Sequence, residues 1–260
     1  MAQTYGGYLA LDELLRLQRP VSEGPEHDEM LFIVIHQVYE LWFKQVRHEL
    51  LYLQGTLEQG DTATALATLK RILTILKTLV SQVDILETMT PTSFNSFRHR
   101  LDTASGFESV QFRQVEFLLG HKRPGAVRHY PEGTAERQVL EELLAAPTLW
   151  DSFLRYLSGR GYAVPHQALA RDVTRPITPS PEVQQVLLHI YRQAPFDGQL
   201  CERLVDLDEG LQEWRYRHVK MVERTIGTKR GTGGSTGAEY LRKTLFQPLF
   251  PDLWAIRVEL

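Results

Sequence analysis

Thiol chemistry is nearly absent from this sequence, which contains a single cysteine, Cys201. One cysteine excludes an intrachain disulfide and a thiolate metal cluster. A large excess of positive or negative charge is also lacking, because the net charge is only -3 over 260 residues. No basic block is long enough to follow a phosphate backbone. This balance argues against nucleic acid as a partner.

Long hydrophobic runs are missing as well. No apolar stretch approaches the length of a membrane span, and the first residues lack the pattern of a signal peptide. The composition, 43% hydrophobic and 23% charged, is that of a globular protein with enough length for a large core. We therefore expect a soluble cytoplasmic protein with no membrane partner.

Alternating runs of β-branched residues do not occur, and the periodicity is helical throughout, so the sequence predicts an all-α fold. Helices are expected over residues 27–57, 62–87, 108–119, 134–145, 149–158, 181–193, 200–224 and 238–245, with a short helix starting at Pro91. Residues 159–181 are predicted to be an irregular insertion, and Phe196-Asp-Gly198 a turn. Residues 1–26 form an N-terminal segment, and residues 27–260 a single all-α domain.

Residues 200–224 carry an apolar stripe that includes one histidine. Spacings of three and four residues place the stripe on one helical face. Its members are Leu200, Leu204, Leu207, Leu211, Trp214, His218 and Met221. A buried imidazole needs a hydrogen-bond partner or a ligand, so His218 is either a satisfied core histidine or a ligating one.

A second histidine falls on an aromatic helical face. Phe32, His36, Tyr39 and Phe43 follow each other at steps of four, three and four residues. Further along, Phe94 and Arg98 are four residues apart and share a face, which presents a guanidinium group beside a ring. The spacing alone also allows simpler interpretations. His36 could make an ordinary hydrogen bond in the core, and Arg98 could form a surface ion pair.

A glycine-rich run at residues 227–237 follows the second histidine helix. It is not a nucleotide loop of the usual kinds, because Lys229 precedes the glycines, no strand comes before it, and Thr236 stands where a dinucleotide motif needs glycine. Its backbone N–H groups, the hydroxyls of Thr232, Ser235 and Thr236, and the cations Lys229 and Arg230 suit the carboxylate or phosphate of a small ligand.

Other chemistries fit less well than haem. The nearest approach to a hydrolytic zinc motif, His27-Asp-Glu29, lacks its second histidine, and no nucleophilic serine elbow occurs. An all-helical protein with buried histidines, aromatic lining and scattered arginines for carboxylates has what a histidine-ligated haem pocket requires.

Five segments resemble the tryptophan 2,3-dioxygenase family. They are His27-Asp-Glu-Met-Leu-Phe-Ile-Val-Ile-His-Gln-Val-Tyr-Glu-Leu-Trp-Phe-Lys44, Ser105-Gly-Phe107, Glu116-Phe-Leu-Leu-Gly120, Trp214-Arg-Tyr-Arg-His218 and Lys229-Arg-Gly-Thr-Gly-Gly-Ser-Thr-Gly237. The resemblance runs from Tyr5 to about Trp254. It implies an all-α, usually homotetrameric enzyme with haem b that inserts both atoms of O2 across the indole C2–C3 bond of L-tryptophan, giving N-formyl-L-kynurenine.

The resemblance also implies roles for individual residues. His218 matches the axial ligand of the iron, with Trp214 and Arg215 flanking the haem. His36 matches the distal histidine beside the indole nitrogen, and Phe32 the residue against the indole ring. The neighbouring Ile33, Val34 and Ile35 are included as substrate contacts.

For the amino-acid end of tryptophan, the resemblance points to other segments. Arg98 matches the partner of the carboxylate, and Thr232 the contact of the ammonium and carboxylate. Phe94 lies where some members have tyrosine. The loop at Ser105 and Gly106 is expected close to haem and substrate. Tyr5, Tyr8 and Leu9 resemble an N-terminal arm that completes a neighbour's active site.

Two departures leave other functions open. Glu108 and Thr228 stand where glutamine and an aromatic residue are expected beside matching motifs. Relatives in secondary metabolism use modified tryptophans or insert one oxygen, so a tailoring oxygenase is one alternative. A haem and tryptophan sensor without turnover is another, although the set of His36, Arg98 and Thr232 argues against it.

Overall fold

The computed structural model describes residues 3–24, 26–102, 104–232 and 237–260. All longer regular elements in these ranges are α-helices, which confirms the all-α prediction. They are α1 (Tyr5–Tyr8), α2 (Leu11–Leu14), α3 (Asp28–Glu58), α4 (Thr62–Leu86), α5 (Pro91–Phe97), α6 (Val110–Leu118), α7 (Pro124–Val127), α8 (Ala135–Ala145), α9 (Leu149–Gly159), α10 (His166–Leu169), α11 (Pro181–Gln193), α12 (Pro195–Ile226), α13 (Ala238–Arg242) and α14 (Pro251–Ala255). Short 3-10 turns lie at Arg98–Arg100, Gly106–Glu108 and Ile256–Val258.

Three long helices, α3, α4 and α12, form the centre of the molecule, with α6 and α9 packed on α3. The apolar stripe predicted on α12 is buried, since Leu200, Leu204 and Leu207 are at most 1% exposed. Burial of each such leucine contributes about 1.5–3 kcal/mol. The stripe therefore anchors the first half of α12 in the core and fixes where the second half, with His218, must lie.

Hydroxyl and carboxylate caps set the helix starts that position the site. Thr90 accepts a hydrogen bond from the Ser93 backbone N–H at 3.1 Å, and Pro91 occupies the first position of α5 as predicted. Asp61 caps α4 by accepting from Thr64 N–H at 3.0 Å. These caps determine where α4 and α5 begin beside α3.

The structure corrects some predicted boundaries. The turn expected at Phe196-Asp-Gly198 is the first turn of α12, because Pro195 starts that helix and buried Asp197 accepts hydrogen bonds from the hydroxyls of Tyr156 (3.0 Å) and Tyr162 (2.6 Å). Helix α6 begins at Val110 rather than 108, since Ser109 caps it. The insertion at 159–181 is irregular apart from α10.

The N-terminal segment is hydrogen-bonded to α3 at two places, since Gln37 donates to the carbonyl of Leu17 at 3.1 Å and the buried carboxylate of Glu29 binds the segment near the start of the helix. Glu29 accepts hydrogen bonds from the backbone N–H groups of Val21 (2.7 Å) and Ser22 (3.0 Å). Beyond this junction, Tyr5 and Tyr8 on α1 are 76% and 71% exposed. No helix in the described ranges has the length and apolar character needed to cross a membrane.

Gly120 is required by the close approach of the insertion to the end of α6. Its φ is +100°, and an added Cβ would lie 2.7 Å from Cδ1 of Ile177. We expect Gly120→Ala to destabilise the protein by about 2 kcal/mol through backbone strain. Thermal unfolding measures this, with Gly125→Ala as control, because a Cβ there meets nothing within 4 Å. Equal melting temperatures for the two variants would contradict the prediction.

Candidate active site

A large cavity lies where α3, α5, α6 and α12 meet the glycine-rich run. It contains about 1640 Å³ of space free of protein atoms, its open mouth included. Its walls are mainly apolar, with contributions from residues such as Val83, Leu86 and Met221. Ten of the residues predicted for the site line this one cavity: Phe32, His36, Phe94, Arg98, Ser105, Gly106, Trp214, Arg215, His218 and Thr232.

His36 presents a hydrogen-bond acceptor to the cavity. Its Nδ1 lies 2.7 Å from the carbonyl oxygen of Phe32 one turn earlier. A carbonyl only accepts, so we assign the proton of the neutral ring to Nδ1, which leaves Nε2 with a lone pair. Burial lowers the pKa of His36, which keeps the ring neutral at pH 7. The ring of Phe32 packs against it, with 4.0 Å between centroids.

His218 is the second neutral imidazole in the cavity. Burial, with a smaller contribution from His36, lowers its pKa to about 4. Neither ring nitrogen hydrogen-bonds to any residue in the described ranges. Because the neutral ring keeps a lone pair, His218 can act as a metal ligand. In those same ranges no three histidine, cysteine or carboxylate side chains gather as a metal-binding group, so His218 would be a single protein ligand.

Arg98 and Thr232 lie at the cavity mouth and connect two segments of the chain. The Arg98 guanidinium donates to the carbonyl of Arg230, and its buried Nε has no partner in the described ranges. The Thr232 hydroxyl donates to the carbonyl of Ala104 at 2.6 Å. Ser235 and Thr236, also predicted to contribute hydroxyls, lie outside the described residues.

A buried group of charges forms another part of the cavity wall. Glu116 accepts from Arg215 at 2.9 Å, from Arg123 at 2.6 Å and also from Arg113. Burial favours a raised pKa for Glu116, but the three guanidinium groups outweigh this and lower it, so the carboxylate stays charged. Among the described lining residues, four arginines (Arg98, Arg113, Arg123 and Arg215) face two carboxylates (Glu40 and Glu116), so the wall carries net positive charge.

A family model described as tryptophan 2,3-dioxygenase matches residues 1–154 and 163–260 of this chain. A protein of that name from Herpetosiphon aurantiacus is 60% identical over 259 residues, covering 100% of this chain and 99% of the relative. The chain belongs to the tryptophan 2,3-dioxygenase family. Relatives carrying the same name are 62% identical in Anaeromyxobacter sp. strain K, over 98% of this chain, and 44% identical in Arthrobacter sp. strain FB24, over 99% of it; the matches cover 96% and 92% of those relatives.

Membership in the tryptophan 2,3-dioxygenase family confirms the resemblance found in the sequence, but not every predicted contact lies at the cavity. Ile33, Val34 and Ile35 are not among its lining residues, and Ile35 is buried in the core. Successive helical residues point about 100° apart, so three in a row cannot share the face of Phe32 and His36. Their role as substrate contacts stays a prediction.

Sequence reasoning missed two features of the cavity wall. Glu40 lines the cavity one turn after His36, and its carboxylate accepts from Gln111 at 3.3 Å. The spacing of four residues could have identified it. Arg113 and Glu116 are three residues apart on α6, a local signal, whereas the contact of Glu116 with Arg215 spans 99 residues and leaves no trace in spacing.

Proposed function

We propose that this chain is a haem-dependent tryptophan 2,3-dioxygenase that adds both atoms of O2 across the indole C2–C3 bond of L-tryptophan to give N-formyl-L-kynurenine. The observation that carries the proposal is the convergence of His36 and His218, both neutral, on one apolar cavity with Arg98 and Thr232 at its mouth. The names of the relatives support the substrate.

The cavity fits haem b on three counts. His218 has a ring nitrogen without a hydrogen-bond partner in the described ranges and would hold the iron. A Cβ added to Gly106 would meet no atom within 4 Å, so the loop at Ser105 and Gly106 leaves open space for a flat ring. The buried guanidinium groups of Arg113 and Arg215 would hold carboxylates. When bound, haem iron supplies the redox chemistry that makes O2 reactive toward the indole.

The remaining residues would bind and orient the substrate. The guanidinium of Arg98 pairs with the carboxylate of tryptophan, an arrangement that favours two parallel hydrogen bonds. Thr232 contacts the same end of the molecule, and the rings of Phe32 and Phe94, with centroids 5.7 Å apart, offer an apolar surface to the indole. His36 accepts a hydrogen bond from the indole N–H at Nε2 and so fixes which face of the indole meets O2.

The N-terminal arm, residues 1–26, would complete the site of another copy in a cytoplasmic homotetramer, while residues 27–260 form the catalytic domain. Tyr5, Tyr8 and Leu9 are exposed on the isolated chain, which leaves them available for a neighbouring subunit. Their deletion should lower turnover in the assembled enzyme if they contact the substrate there.

The mass of the product tests the proposal. Reduced, haem-loaded protein is mixed with L-tryptophan and O2, and addition of two oxygen atoms is the expected result. One added oxygen would replace the proposal with a tailoring monooxygenase. An unchanged mass beside a bound-haem spectrum would contradict turnover of tryptophan and favour a sensor.

His36→Ala should reduce kcat about tenfold without abolishing turnover. The variant loses one hydrogen bond of about 1–1.5 kcal/mol that orients the indole N–H, and this free energy corresponds to about a tenfold change in rate. Steady-state kinetics measures the effect, with His189→Ala on the exposed face of α11 as the matched control. Complete loss of turnover with haem still bound would instead make His36 an essential base.

A further inference from the structure

The indole of Trp214 lies against the imidazole of His218. The two residues are one turn apart on the same face of α12. Their ring planes are inclined by only 11°, and the ring centroids are 5.3 Å apart. This is an offset stacked arrangement, one of the favoured geometries for aromatic pairs. The indole therefore limits how far the imidazole can rotate.

The indole is itself held by rings from two other helices. Phe112 of α6 lies 4.9 Å from it, Phe43 of α3 lies 5.8 Å away at 89°, and Tyr39 of α3 lies 6.4 Å away at 60°. Tyr39 is fixed in turn, because its hydroxyl donates to the carbonyl of Leu79 on α4 at 2.8 Å. Through Trp214, the orientation of the His218 ring therefore depends on how α3, α4 and α6 pack together.

Hydrogen bonding does not fix His218 in the described part of the chain. A metal-ligating histidine usually donates its second ring N–H to a carboxylate or a carbonyl, which sets the ring orientation and raises the basicity of the ligand. Neither ring nitrogen of His218 hydrogen-bonds to a described residue, and among the described aromatic residues it is Trp214 that stacks on the imidazole. In this cavity the stacked indole of Trp214 orients the imidazole, whereas in other metal sites a hydrogen-bond partner orients the ligating histidine.

We propose that Trp214 is the positioning residue of His218, whose stacked indole sets the plane of the imidazole and the direction of its ligating nitrogen. The inference rests on the proposed function, in which His218 would hold the haem iron.

Two substitutions of Trp214 distinguish an effect of ring stacking from an effect of side-chain volume. Phenylalanine and leucine both shorten Trp214, but only phenylalanine keeps a ring plane. In the ferrous, haem-loaded full chain we expect the iron–histidine stretching band in resonance Raman spectra to stay narrow in Trp214→Phe. In Trp214→Leu the band should broaden or shift, and haem transfer to apomyoglobin should accelerate about tenfold or more.

Trp150→Leu is the matched control. Trp150 is another buried tryptophan, packed against Phe153 and Phe250 in the core, and it does not line the cavity. Its substitution should lower the melting temperature and leave the iron–histidine band unchanged. If Trp214→Leu does not fold, Phe112→Leu loosens the indole without removing it and should broaden the same band.

The outcomes distinguish this inference from the proposed function. A wild-type band position and haem-transfer rate in Trp214→Leu, or an unchanged band in its substitute Phe112→Leu, would overturn the positioning role. Equal changes in Trp214→Phe and Trp214→Leu would also overturn it, because volume and not the ring plane would then matter. A wild-type spectrum without an iron–histidine band, or a band that persists in His218→Ala, would refute the ligand assignment itself.

Discussion

His218→Ala should yield a folded protein that does not hold haem stably and turns over tryptophan at least about a thousandfold more slowly. The variant removes the cavity's candidate axial ligand, and His36, the other imidazole there, has its Nδ1 engaged with the carbonyl of Phe32. Among the described residues that line the cavity, His36 and His218 are the histidines, so no third imidazole is present to take the place of His218. Haem titration followed by the Soret band, together with turnover of the loaded protein, measures both losses.

A rescue experiment makes this prediction sharper. His218→Gly leaves a space the size of the lost side chain, and added imidazole should restore haem binding and part of the activity. Added imidazole should have no such effect on the wild-type protein. Unfolding curves of both variants establish that the helices are intact. Haem affinity and activity at wild-type levels in His218→Ala would contradict the ligand assignment.

The helices and their buried faces could be predicted because the signal is local. The stripe from Leu200 to Trp214 repeats every three or four residues, and the structure buries it as expected. The failed turn at Phe196-Asp-Gly198 shows the limit of such signals. Glycine and aspartate favour turns, but Pro195 at a helix start and the buried hydrogen bonds of Asp197 outweigh that preference.

The convergence of the site could not be read from periodicity. His36, Arg98 and His218 lie 62 and 120 residues apart along the chain, and spacing alone left each of them a second interpretation. Only the matched motifs predicted that they meet, and the cavity brings all three together. The contact between Glu116 and Arg215 was missed for the same reason, since a tertiary ion pair has no sequence period.

Arg98→Ala should lower kcat/KM for tryptophan about a hundredfold, mainly through a higher KM. A carboxylate bound in a largely apolar pocket loses its charged partner, and an interaction of this kind contributes roughly 3 kcal/mol. Arg98→Lys should recover only part of the loss, because lysine keeps the charge but cannot form two parallel hydrogen bonds. Steady-state kinetics over a wide range of tryptophan concentration measures both effects.

A second compound, tryptamine, tests whether Arg98 binds the carboxylate of tryptophan. An interaction with the carboxylate cannot affect a compound that lacks this group. Tryptamine has the indole and the ammonium group of tryptophan but no carboxylate, so Arg98→Ala should change its kcat/KM little. Arg100→Ala, two residues away and exposed, is the control for the loss of a positive charge close to Arg98 in the chain. If Arg98→Ala impaired tryptamine and tryptophan equally, Arg98 would act by tethering the glycine-rich run through its contact with Arg230. The proposed pairing with the carboxylate would then be wrong.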